Sequence, residues 1–116
     1  MSPCQRSLAK LRAEGWTCGI TEHFNPHVKI RQDLFGFCDI LAFQGDFIMA
    51  VQTTSGPNFA ARKEKILANP IAKLWASGGM RMIVIHGWAK RGERGKRKIW
   101  TCRDEIVTWP ITENET

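Results

Sequence analysis

Two apolar runs separated by three turn-forming residues constrain this chain more than any other stretch. Ile40-Leu41-Ala42-Phe43 leads into Gln44-Gly45-Asp46, and Phe47-Ile48-Met49-Ala50-Val51 follows. Runs this short are strands rather than helices, and a turn centred on glycine predicts that they pair as an antiparallel hairpin. Each run also carries polar residues that a buried strand does not normally keep. Asp39 opens the first, while Gln52 and Thr54 follow the second. A hairpin folded about Gly45 puts Asp39 roughly across from Val51, within a residue or two of Gln52. A carboxylate and an amide oxygen then meet at the open end of a sheet.

The size of the chain bounds what such a pair can belong to. With 116 residues, it forms one domain over residues 1–109, followed by a polar tail at 110–116, and buries about two-thirds of its unfolded surface around a single core. Lys and Arg number 17 against 11 Asp and Glu, a net charge of +6, which favours an anionic partner. The cysteines at 4, 18, 38 and 102 have no CxxC spacing, and neither a signal peptide nor an apolar segment of ~20 residues is visible. They read as reduced, buried small hydrophobes of a cytoplasmic protein. His23 and His27 are spaced i, i+4, but Pro26 between them breaks the helix that would present both, and His86 lies in an apolar run as a core residue. No zinc site is expected.

Along the chain, Cys4 to Glu14 reads as a helix with Leu8 and Leu11 inward and Gly15 as its C-terminal cap. Trp16 to Phe24 alternates as a strand with Trp16, Cys18 and Ile20 on the buried side. Gly36 marks a compact bend before Asp39. Beyond the hairpin, Ser55 or Asn58 caps a helix from about Phe59 to Ala68, and Pro70 starts another with Ile71, Leu74 and Trp75 inward. Met80 to Trp88 is a strand buried on both faces, Ala89 to Lys98 a loop, and Ile99 to Thr108 a final strand. This order predicts an α/β sandwich with a central mixed β-sheet flanked by helices.

The order helix, strand, D-I-L-A-F strand, turn, A-V-Q-T-T strand, helix, strand resembles the PD-(D/E)XK nuclease superfamily. Within it the chain is most similar to the small archaeal-type Holliday junction resolvases, over about residues 4 to 107. The stretch R-Q-D-L-F-G-F-C-D also resembles a group of short phage and bacterial proteins with the same strand pair. The resemblance implies a restriction-endonuclease-like fold and a metal-dependent DNA endonuclease, with Asp39 at the family's Asp, Gln52 at its Glu and Thr54 at its Lys. It implies Mg²⁺ or Mn²⁺ held by Asp39 and Gln52, branched DNA as substrate, and a homodimer, since symmetric cleavage of two strands needs two sites.

The chemistry explains why the departures matter. Phosphodiester hydrolysis needs charge neutralised on the phosphate and hydroxide generated near neutral pH, both of which a hard divalent cation on oxygen ligands supplies. Gln52 offers only a neutral oxygen, and Thr54 cannot stabilise transition-state charge as a lysine does. A relocated cation is therefore expected. Arg31 is the first choice, because it shares a parity with Asp33 in an extended segment. Lys29 is another, as are Lys63 and Arg62 on the following helix. Asp33 or Glu22 is the expected second acid.

Nucleic acid is the partner that the charge pattern itself favours. Lys90, Arg91, Arg94, Lys96, Arg97 and Lys98, opposed only by Glu93, lie on a Gly-punctuated loop that can follow phosphates. Trp88 and Trp100 flank it and are either base-stacking platforms or core. Three readings follow: a metal-dependent endonuclease, an inactive nuclease-like DNA-binding protein, and a small phage-encoded inhibitor of a host protein.

Overall fold

The computed structural model describes residues 1–110. Helix α1, Pro3–Ala13, starts where the Ser2 hydroxyl accepts from the Gln5 amide at 3.2 Å, with proline in the first turn, where its missing N–H is no loss. It ends at Gly15, whose φ of 90° is the left-handed cap that glycine supplies. Cys4, Leu8 and Leu11 form its buried stripe.

A five-stranded sheet runs in the order β1 (Thr17–Ile20), β4 (Ile40–Gln44), β5 (Phe47–Ser55), β6 (Arg81–Arg91), β7 (Ile99–Ile106). The predicted hairpin is β4–β5. It turns at Gly45, at φ 59°, and pairs Ile40 with Val51 and Gln44 with Phe47. Only β5 and β6 run parallel, because helices α2 (Phe59–Leu67) and α3 (Pro70–Ala76) carry the chain back between them. The sheet is therefore mixed, with helices on both faces. Pleat alternation sends Ile40, Ala42, Met49, Val51 and Val84 to α1, and Ala50, Ile83 and Ile85 to Phe59, Ile66 and Ala72 of α2 and α3. Strand β6 is buried without a break from Ile83 to Trp88, as its apolar run predicts.

Several elements depart from the sequence expectation. The strand expected over Trp16–Phe24 stops at Ile20. Beyond it the Thr21 and Glu22 amides both donate to the Asp39 carbonyl, at 2.8 and 3.3 Å, where β4 begins and its edge can pair no further. The chain turns off the sheet, and β2 (His23–Asn25) pairs with β3 (Ile30–Gln32) as a separate ribbon. Cys18 is half-buried, and Ile20 is 43% exposed rather than inward. In α3, Ile71 and Leu74 face solvent, while Ala72 and Trp75 pack inward and the Trp75 indole donates to the Met82 carbonyl at 3.1 Å. Strand β6 continues to Arg91, past the expected loop start at Ala89. Residues 111–116 of the tail expected to fray lie outside the described residues. No helix among the described residues is long and apolar enough to cross a membrane.

Candidate functional site

The register Ile40 to Val51 sets Asp39 opposite Gln52, one residue from the pairing expected with Val51, on the sheet face that carries α2 and α3. Asp39 is 2% exposed. Its Oδ2 accepts from Gln52 Nε2 at 2.7 Å, from the Thr53 amide at 2.8 Å and from Thr53 Oγ1 at 3.1 Å. Its Oδ1 is buried, and no donor among the described residues reaches it while the neighbouring acids are ionised. Gln52 Nε2 also donates to Asp33 Oδ2 at 3.1 Å. The amide thus turns its nitrogen to the acids and ties two carboxylates together, where the sequence reading had its oxygen facing an ion.

Two further acids arrive from the loop system beside the sheet edge. Glu22 follows the turn-off at the Asp39 carbonyl. Asp33 follows β3 and precedes a tight loop in which Leu34 and Cys38 exchange backbone hydrogen bonds at 2.9 and 3.0 Å. That loop needs left-handed backbone at Phe35 (φ 58°) and Gly36 (φ 84°). Glycine takes this without cost, whereas phenylalanine stores about 1–2 kcal/mol. Carboxylate oxygens of Glu22, Asp33 and Asp39 lie within 4.8 Å of one another. Burial, a hydrogen bond shared with Asp33 and the charges of Asp33 and Glu22 push the Asp39 carboxyl up to about 8, against the lowering pull of the Thr53 amide. Three carboxylates this close call for a proton or a cation between them.

The acids open into a cavity of about 750 Å³ between the first turn of α1 and α2. Arg31, Arg62 and Lys65 line it. Arg31 sits 3.3 Å from Glu22, with most of its side chain in solvent. The other proposed cations lie elsewhere. Lys63 pairs with Glu105 on β7 at 2.8 Å, and Lys29 is exposed in the β2–β3 turn at φ 55°. Thr54 is buried outside the cavity lining. It sits beside Gly87 in the parallel register, and Gly87 lies against the Phe59 ring. Lys65 escaped the sequence reading, although its i+3 spacing from Arg62 marks it as sharing that helix face. The Cys4 thiol at the cavity wall is no nucleophile: burial and the charges of Glu22 and Asp39 push it up to about 12.

The basic segment forms the exposed tip of the β6–β7 hairpin, with Lys90 and Arg91 on the strand and Arg94, Lys96, Arg97 and Lys98 in the loop. Trp88 cannot stack on bases. It is buried, and its indole donates to Ser7 Oγ at 2.8 Å. Ser7 Oγ also lies 2.8 Å from His86 Nδ1, and His86, 2% exposed, is the hydrogen-bonded core histidine expected. Trp100 is 44% exposed, with the Arg6 guanidinium 3.9 Å and the Lys90 ammonium 5.5 Å from its ring. No protein-family model, curated protein or solved structure matches the chain.

Proposed function

We propose that this protein is a metal-dependent DNA endonuclease of the PD-(D/E)XK type with a restriction-endonuclease-like fold, acting on branched or structured DNA. The observation that carries this reading is the Asp39 Oδ1. A buried carboxylate oxygen that no donor reaches must share a proton with a neighbouring acid or take a cation, and this one lies in the cluster with the Glu22 and Asp33 carboxylates, beside an open cavity that admits an ion. The donor set is all oxygen and acidic, which fits Mg²⁺ or Mn²⁺. Glu22, Asp33 and Asp39 would hold the ion. When bound, it polarises the phosphate and lowers the pKa of a coordinated water.

The chain's own residues set the rest. Thr53 and Gln52 fix the Asp39 carboxylate through Oδ2, which leaves Oδ1 as its free ligand atom. The basic hairpin tip leaves the same end of the sheet, since Ser55 of β5 pairs with Trp88 of β6. Lys90 stands five residues beyond Ile85, the partner of Gln52, so the arm begins roughly 17 Å from the acids along the strand. A strand of nucleic acid held by the arm can therefore reach the cavity. The burial of Thr54, at the position the resemblance gives to lysine, favours a second reading, a DNA-binding protein of the same fold without turnover.

Asp39→Asn separates these readings. Its amide nitrogen can replace Oδ1 and donate toward Asp33 and Glu22, so the variant folds in the absence of metal. With millimolar Mn²⁺, the wild type should gain thermal stability and cleave four-way junctions in preference to linear duplex, and Asp39→Asn should do neither. Metal-induced stabilisation without cleavage supports the binding protein. A wild-type melting curve indifferent to Mg²⁺ and Mn²⁺ overturns the metal site.

A further inference from the structure

The acids occupy one wall of the cavity, and α2 forms another. Arg62 and Lys65 lie three residues apart on one side of that helix and both line the cavity. Lys63, about 100° round the helix, is drawn to Glu105 instead. Arg31, the remaining cation at the cavity, already faces Glu22. Among the described residues no hydrogen bond or ion pair engages the Arg62 or Lys65 side chain. Two uncommitted cations thus share one open cavity with three crowded carboxylates, an arrangement that suits a ligand with negative oxygens on one side and shared metal ligation on the other.

We infer that Arg62 and Lys65 are the phosphate-holding half of this site, gripping the non-bridging oxygens of one phosphodiester of a nucleic-acid strand between α2 and the Glu22–Asp33–Asp39 cluster. The guanidinium of Arg62 can meet two phosphate oxygens at once, and Lys65 adds a point charge. Together they supply, from a helix, the positive charge that Thr54 does not supply from the strand. The identity of the anion as a nucleic-acid phosphate rests on the nuclease reading; the two cations and their geometry do not.

The test uses the dinucleotide d(pTpT), too short to reach the basic arm, titrated in Ca²⁺ and followed by amide chemical shifts. Mn²⁺ binding is measured separately by paramagnetic broadening around Asp39. The double variant Arg62→Ala/Lys65→Ala should bind the dinucleotide at least tenfold more weakly while keeping wild-type Mn²⁺ binding. Arg62→Lys/Lys65→Arg should recover most of the loss, and Lys63→Ala should bind as the wild type does. Both alanine positions lie on an accessible helix face, and a melting curve verifies folding. Undiminished dinucleotide binding in the double alanine variant overturns the inference even if Mn²⁺ binds at Asp39. Absent Mn²⁺ binding in the wild type, with dinucleotide binding still dependent on Arg62 and Lys65, sinks the nuclease reading and leaves the phosphate clamp standing.

Discussion

The two oxygens of Asp39 stand in different surroundings: three donors hold Oδ2, and among the described residues none reaches Oδ1. On the opposite face of the sheet, His86 is wholly structural. The Trp88 indole donates to Ser7 Oγ, which also lies 2.8 Å from His86 Nδ1, so one buried hydroxyl joins both rings. Burial first and the Lys10 charge second push the imidazole down to about 4, with Asp104 and Glu14 opposing. The unfolded chain, with an ordinary histidine near 6.5, binds the extra proton between these values. Stability from the neutral ring is thus complete above about pH 6.5 and falls as pH drops toward about 4, by an amount on the order of 3 kcal/mol. Asp39 works in the opposite sense, since its fold favours the acid form. Because Asp39 opposes it over the same range, the histidine shows in a difference: in urea unfolding from pH 7.5 to 4.5 the wild type should lose stability relative to His86→Gln as the pH falls, and a constant difference would refute the buried neutral imidazole.

At the scale of elements, the site depends on how closely α2 lies on β6. A Cβ on Gly87 would meet Phe59 Cδ2 at 2.7 Å, and Phe59 is the buried first residue of α2. Gly87→Ala should therefore cost about 1–3 kcal/mol by overpacking and displace the turn bearing Arg62 and Lys65. Gly19→Ala, where nothing lies within 4 Å, should change stability by no more than about 0.5 kcal/mol. Thermal melts of the two variants make the comparison. The β4–β5 hairpin, α1 and the buried β6 were legible because turn chemistry and periodicity agree there. The start of α3 at Pro70 and the inward Trp75 were legible too, but the outward turn of Ile71 and Leu74 was not, because in so short a helix the large apolar residues do not settle the inward face. Ala72 and the Trp75 hydrogen bond to Met82 settle it instead.

Across the whole molecule, charge is arranged at one end of the sheet. The parallel pairing of β5 with β6 delivers Gln52 and the basic hairpin to that same end, and α1 reaches the arm through Arg6 stacked on Trp100. If the arm follows phosphates, Lys96→Ala/Arg97→Ala/Lys98→Ala should weaken DNA binding at all sequences and reduce the slope of log affinity against log salt by up to about 3. Fluorescence anisotropy over a salt series measures that slope, and an unchanged slope would remove the arm from the interface.

Local sequence alone determined the hairpin, its glycine turn, the cap and apolar stripe of α1, the depth of β6, and the pairing of an acid with an amide at one end of the sheet. Those features follow from interactions a few residues apart, where side-chain period and turn geometry decide. Tertiary structure decided that both of the candidate acids, Asp33 and Glu22, join Asp39, that Gln52 donates to the acids, that Thr54 is buried, and that of the candidate cations Arg31 and Arg62, with Lys65, line the cavity while Lys63 and Lys29 do not. Each of these depends on where a sheet edge stops or which face a neighbouring helix covers. Such facts belong to packing between segments remote in the chain, and no local pattern carries them.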